Sequence, residues 1–260
     1  MDEQIQTALK RIEAEESVRV LYACESGSRA WGFPSPDSDY DVRFIYAHPH
    51  DWYLAIDVEH RRDVIERPIA DALDVAGWDI RKALRLFRAS NGALLEWLHS
   101  PVRYRECGVF RDQLAALVAT TFDRRGLCHH YAHMARGNAR NFLGGDQVRL
   151  KKYLYVLRPL LAIRHIETTG ALPPVVFREL VDTVAPEALV AEIDTLLARK
   201  RRAGEHDTGP PIPALEAFIH DELGRHEAGF DDLDRPDIDT RPAVLDALNA
   251  LFRRVVTGGA

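Results

Sequence analysis

The chain predicts an α+β fold: an N-terminal mixed β-sheet with flanking helices, followed by a helical domain. Three observations lead there. Strand-like runs cluster in the first hundred or so residues, notably Val18–Ala23, Asp39–Tyr46 and Ile69–Ala76. From about residue 108 the apolar residues recur at helical spacing with hardly any strand signal. A small-residue turn, Gly27-Ser28-Arg29-Ala30-Trp31-Gly32, leaves the first strand candidate just ahead of the second. The expected division is therefore 1–107 and 108–260, with no internal repeat.

In order, residues 3–15 read as a polar helix and Val18–Ala23 as a strand that delivers the chain to Gly27. Asp39–Tyr46 is a second strand and residues 47–62 look irregular. Val64–Glu66 and Ile69–Ala76, parted by Arg67-Pro68, read as a hairpin. Asp79 is a natural N-cap for a helix over Ile80–Arg88, Asn91-Gly92 breaks it, and a short helix over Leu94–His99 stops before Pro101. Helices are expected over 109–122, 124–143, 147–168, 187–203, 212–225 and 241–256. Pro173-Pro174, Pro210-Pro211 and the acidic stretch Asp231–Asp239 read as loops, and the sheet is expected to carry its helices on one side.

Bulk properties narrow the function. The 260 residues carry 34 basic and 40 acidic side chains, a net charge of −6, which argues against a general nucleic-acid coat. The N-terminus has no basic-then-apolar signal and no apolar run approaches membrane-spanning length, so no membrane partner is expected. Three widely spaced cysteines, Cys24, Cys107 and Cys128, fit a reducing cytoplasm rather than a disulfide framework.

The chemistry concentrates at Asp37-Ser38-Asp39-Tyr40-Asp41-Val42-Arg43. In an extended segment Asp39 and Asp41 point to one face while Tyr40, Val42 and Phe44 point to the other. Two carboxylates on one face suit divalent metal beside nucleotide phosphates. Asp37/Asp39 is the alternative register, set back by Pro36 and Ser38, which suggest that residue 37 is still in the turn. A third acid is needed from a neighbouring strand. Asp74, a lone carboxylate among apolar neighbours, is the candidate, with Asp79 as runner-up. Gly27 would let backbone N–H groups and the Ser28 hydroxyl approach phosphate oxygens. Arg29 and Arg43 are candidates to neutralise phosphate charge or are ordinary surface arginines, and Trp31 is either packing or a base-stacking ring.

These residues carry a resemblance. A Gly-Ser turn, about ten residues, then acid-hydrophobic-acid at the start of a strand resembles the DNA polymerase β-like nucleotidyltransferases. The wording Gly-Ser-Arg-Ala-Trp-Gly and Ser-Asp-Tyr-Asp-Val-Arg is similar to a bacterial branch associated with RNA repair. Asp79-Ile80-Arg81-Lys82-Ala83-Leu84, Leu94-Leu95-Glu96-Trp97-Leu98 and the stretch from Lys151-Lys152-Tyr153 to Arg158-Pro159-Leu160-Leu161 add to it; it spans roughly residues 18 to 169. The resemblance implies transfer of an NMP from an NTP to a hydroxyl, an RNA end first, with Mg²⁺ or Mn²⁺ held by Asp39, Asp41 and Asp74. It implies that Asp74 helps deprotonate the acceptor, and that Lys151, Lys152 and Arg158 contact the triphosphate. A protein or small-molecule acceptor, or a non-catalytic nucleotide sensor, are the alternatives.

A second patch supports a phosphate-rich ligand. Residues 124–165 carry nine arginines and lysines against Asp146 alone, interleaved with Tyr131, Tyr153 and Tyr155. Two amphipathic helices with solvated basic faces would look the same. His129 and His133, four apart, share a helical face, but no HExxH pattern accompanies them and no cysteine pair is near, so with His130 they read as ordinary core or surface histidines.

Overall fold

A computed structural model describes residues 1–202, 207–234 and 242–258. The chain runs α1 (Asp2–Glu16), β1 (Arg19–Glu25), α2 (Gly27–Ala30), β2 (Tyr40–Ala47), α3 (His50–Tyr53), β3 (Val64–Glu66), β4 (Leu73–Asp79), α4 (Ile80–Arg88), α5 (Gly92–Leu98), β5 (Arg103–Glu106) and α6 (Phe110–Thr121). It continues through α7 (Arg124–Phe142), β6 (Val148–Arg149), α8 (Lys151–Thr169), α9 (Phe177–Val184), α10 (Glu187–Arg202), β7 (Thr208–Gly209), α11 (Pro213–Arg225) and α12 (Pro242–Val256). Two compact units result. One holds Met1–Gly27, Asp39–Phe122 and the C-terminal helix; the other holds Ser28–Ser38 and the helices from Asp123 on. The cut expected at 107/108 falls inside the first unit, because α6 packs on β1 and on α12.

The sheet of the first unit has the order β3-β4-β2-β1-β5. β2 and β4 are parallel; the other neighbours are antiparallel. Val42, Phe44 and Tyr46 of β2 pack with Val20, Ala23, Ile65 and Val75 against Ile5, Leu9 and Ile12 of α1. Those three α1 residues lie at i, i+4 and i+7, so an otherwise polar helix presents one apolar stripe to the sheet. On the opposite face Ile45 and Ala47 are also buried, so the sheet is covered on both sides there and not on one only. Asp41 and Arg43, earlier on that opposite face, stay half-buried. This half-open face is where the chemistry-bearing side chains gather.

Several expectations shift for identifiable reasons. Asp71 and Ala72 have φ of 51° and 59°, a left-handed backbone that no strand contains, so β4 begins at Leu73 instead of Ile69. Residues 47–62 include the short α3 and a 3-10 turn at Val58–His60. β5 escaped notice because Arg-Tyr-Arg-Glu has no apolar alternation. The helix expected over 147–168 starts at Lys151, because Val148 and Arg149 pair with Gly209 and Thr208. α9 also went unread between Pro174 and Pro186. The ends of the expected helices at 203 and 241, and residues 235–239 of the acidic stretch, lie outside the described residues.

In the second unit α8 is buried nearly all round, from Tyr153 through Ile166, which makes it the central helix, packed by α7, α9 and α11. Ser28–Ser38 joins this unit through Phe33, whose ring meets Tyr155 and Phe177. The Phe177 N–H also donates to the Trp31 carbonyl at 2.9 Å. Among the described residues no helix is long and apolar enough to cross a membrane.

Two outcomes follow from this packing. A methyl group at Gly77 would overlap the Phe44 ring, so Gly77→Ala should cost about 1–3 kcal/mol in urea unfolding; an unchanged midpoint would contradict the close approach. Burial also holds His48, His99, His165 and His226 below the ordinary imidazole value. Once unfolded they return to a pKa of about 6.5, so below that pH the unfolded chain binds more protons than the folded one. Stability is therefore full above about pH 6.5 and falls as the pH drops, until the folded values are passed. Asp79, raised by burial, acts in the opposite sense at the lower pH of carboxylate titration. Thermal midpoints recorded through this range should decline on acidification, and His226→Leu should make the decline shallower.

Candidate active site

Parallel pairing of β2 with β4 sets Asp41 opposite Asp74, Arg43 opposite Ala76 and Ile45 opposite Trp78. Paired residues in adjacent strands share a face, so the two carboxylates sit side by side on the half-open surface. Like charges this close repel, and the chain supplies its own counter-charge. One Arg43 nitrogen donates to Asp74 Oδ2 at 2.7 Å and to Asp41 Oδ1 at 3.2 Å. The other donates to the carbonyls of Val42 at 3.1 Å and Asp74 at 3.2 Å. Arg43, for which the sequence left a phosphate contact and an ordinary surface position both open, here spans the acid pair.

Asp39 is exposed, immediately before β2, and Asp37 lies in the preceding turn. Asp79 is occupied elsewhere: it caps α4 by accepting the Arg81 N–H at 2.8 Å, and it accepts the Tyr53 hydroxyl at 2.6 Å. Among the described residues no three His, Cys, Asp or Glu side chains are gathered as a metal-holding cluster. The donor chemistry of Asp41 and Asp74 nevertheless fits a hard divalent cation, since both offer carboxylate oxygen and already share a cation, the Arg43 guanidinium.

The backbone around Asp41 is fixed from two directions. Its carbonyl accepts the Ser26 N–H at 2.8 Å, and its own N–H donates to Glu25 Oε1 at 2.7 Å. Glu25 is 1 % exposed and also accepts the Tyr104 hydroxyl. Sequence reading missed both Glu25 and Tyr104. The available signal was a carboxylate continuing the buried run Val20–Cys24, a position where an acid needs fixed partners. Gly27 has φ of 59°, and a Cβ there would overlap Asp41 Oδ2. The glycine is thus required both by backbone conformation and by the carboxylate beside it. Cys24, in the same strand, is buried, and burial pushes its thiol up to about 12, so it stays protonated.

In the helical unit Ser28 is buried, and its carbonyl accepts the Phe33 N–H at 3.0 Å. Arg29 donates to the Ser38 carbonyl at 2.7 Å, tying the Ser28–Ser38 loop to itself. Arg158 is 2 % exposed, with its guanidinium 4.5 Å from the centre of the Trp31 ring. Trp31 in turn meets Tyr155 edge-on. Lys151 and Lys152 occupy the first turn of α8, with Lys152 Nζ 3.8 Å from the Phe142 ring centre.

The basic stretch is less of a patch than its sequence suggests. Arg124 and Arg125 pair with Asp234 and Asp231, Arg164 with Glu222 at 2.8 Å, and Arg136 donates to the His226 carbonyl. Tyr131 and Tyr153 are buried and offer no stacking face.

A mixed sheet presenting a glycine turn and paired aspartates on adjacent strands defines the class: a nucleotidyltransferase of the polymerase β type. A family model described as "RlaP: RNA repair pathway DNA polymerase beta family" matches residues 1–254, and the chain belongs to that family. It is 50 % identical over 226 residues to "Uncharacterized protein YcgL" of Bacillus subtilis (strain 168), covering 86 % of each chain. A nucleotidyltransferase-like protein from Exiguobacterium sibiricum 255-15, known from its crystal structure, aligns with 85 % of this chain and 75 % of its own. The identity is 14 % and the TM-score 0.34.

Gly27→Ala should therefore do two things at once. A left-handed non-glycine residue costs about 1–2 kcal/mol, and the added methyl displaces the Asp41 carboxylate. Urea unfolding and a nucleotidyl-transfer assay on the same sample would read both losses; wild-type values in both would show that Asp41 does not need the space.

Proposed function

We propose that the protein transfers a nucleoside monophosphate from an NTP to a hydroxyl at an RNA end, releasing pyrophosphate. The observation that carries this reading is the register pair Asp41–Asp74, two carboxylates on adjacent strands already sharing one cation. The RNA end as acceptor draws on the description of the family.

Asp39, Asp41 and Asp74 would hold Mg²⁺ or Mn²⁺. When bound, such an ion neutralises charge on the attacking and leaving oxygens of an in-line displacement. The protein's own groups do the rest. Asp74, on β4, takes the proton of the acceptor hydroxyl. That oxygen then forms a bond to the α-phosphorus as the bond from phosphorus to the bridging oxygen breaks, and pyrophosphate departs with the electron pair. Arg43 offsets the negative charge of the two carboxylates that lie side by side. Gly27 and Ser28 offer backbone N–H groups and a hydroxyl to phosphate oxygens, with Arg29, Lys151 and Lys152 as further phosphate contacts. Arg158, buried against Trp31, serves the triphosphate by supporting the loop that follows Gly27. Free Cys24, Cys107 and Cys128 suit a reducing cytoplasm.

The test is transfer of α-labelled NTP, with Mg²⁺ or Mn²⁺, into RNA bearing free hydroxyl ends. Asp41→Asn and Asp74→Asn should each lower the rate at least about 100-fold while leaving the thermal midpoint within a few degrees of the parent. Full activity in both variants would sink the assignment.

A further inference from the structure

Beyond the acid pair, the half-open face of the sheet forms a regular grid. β4 contributes Asp74, Ala76 and Trp78 on one face; Arg43 lies beside Ala76 on β2, and Glu66 and Val64 of β3 lie beside Ala76 and Trp78. The small side chain of Ala76 leaves a hole in the middle row. An open cavity of about 400 Å³ lies there, lined by Arg43, Glu66, Asp74, Ala76, Trp78 and Trp97 among others. Trp78 stacks on Trp97 with ring centres 3.8 Å apart. Trp97 is 5 % exposed and Trp78 is half-buried, so Trp78 is the outer ring of the pair.

From this placement we infer that the cavity is an acceptor subsite that seats the terminal nucleoside of a single-stranded RNA, its base packed over Ala76 against Trp78 and its hydroxyl at Asp74. The inference rests on the transferase reading and adds the residues that choose the acceptor. Asp74 and Trp78 stand about 13 Å apart along the strand, with the small Ala76 between them. The cavity walls suit a base better than an aliphatic or phenolic side chain. The flanking charges are already answered, Arg43 by four acceptors and Glu66 by Arg62 at 3.1 Å, so the aromatic end is the surface that a ligand would engage. The aromatic end supplies stacking, which is tolerant of base identity. At the rim Arg67 is already neutralised by Glu15 and Glu16, at 3.0 and 2.8 Å. Recognition at this point therefore comes from stacking a single residue and not from a run of phosphates.

Two substitutions test it without touching the carboxylates: Trp78→Ala removes the platform, and Ala76→Phe fills the cavity while leaving the Trp pair in place. With a short single-stranded oligoribonucleotide bearing a free 3′-hydroxyl, each should raise KM for RNA about 10-fold and leave KM for NTP unchanged. Trp78→Phe should restore most of the affinity, and all three variants should melt within a few degrees of the parent. Adenosine alone should quench tryptophan fluorescence in the parent and not in Ala76→Phe. Unchanged KM for RNA in folded Ala76→Phe and Trp78→Ala overturns the subsite while the transferase reading stands. So does label entering protein or a small alcohol in place of RNA. If the parent transfers no label to any acceptor, the transferase reading is what fails. The adenosine titration then decides the subsite alone: quenching abolished by Ala76→Phe upholds it, and absence of quenching overturns it.

Discussion

The candidate site depends on one cation held between two strands. Asp41 and Asp74 are forced together by parallel pairing, and in the absence of counter-charge their repulsion would oppose the register that aligns them. Arg43 resolves this with a side chain from the same face of β2, reaching one carboxylate on its own strand and one on the neighbour. The guanidinium also donates to two backbone carbonyls, so its position is set by four acceptors. A planar, permanently charged group with several fixed donors can do this; a lysine could not satisfy the same set.

Behind that ion cluster the strands are closely packed. The core face of β2 is packed on α1, and the Glu25 carboxylate grips the Asp41 N–H from the buried end of β1. Carboxylates that are to bind charge need ordered surroundings, because a group free to turn away loses the benefit of being placed in advance. The half-open surface and the buried layer beneath it are thus two sides of the same strands, alternating residue by residue. Val42, Phe44 and Tyr46 hold the sheet, while Asp41 and Arg43 face outward.

Much of this was legible in the sequence because it is local. Alternation at Asp39–Phe44 separates acids from core residues, and the Asp79 cap and the strand-then-helix order follow from short-range chemistry. What could not be read depends on residues far apart in the chain. The side-by-side placement of Asp41 and Asp74 follows from a parallel register, and Arg43 turns out to serve carboxylates instead of presenting itself only to phosphate. The resemblance implies a triphosphate contact at Arg158, and nothing in the sequence signalled that α8, apolar on nearly every side, would bury it against Trp31. Arg124, Arg125 and Arg164 are likewise answered by acids remote in sequence, so a local charge count overstated the basic surface. Trp78 and Glu25 carried little signal, since their importance comes from neighbours on other strands.

The parallel register also has a bearing on how the chain acquires its chemistry during folding. Arg43 and Asp74 are 31 positions apart, and the strands that carry them can meet only through a crossover connection. Closing that loop costs entropy before any contact across it repays the loss, which makes such pairings late events compared with helix formation. A chain with its helices formed but β2 and β4 still apart would carry every residue named in the site and none of its geometry. The site comes into being together with the sheet, and is lost with it.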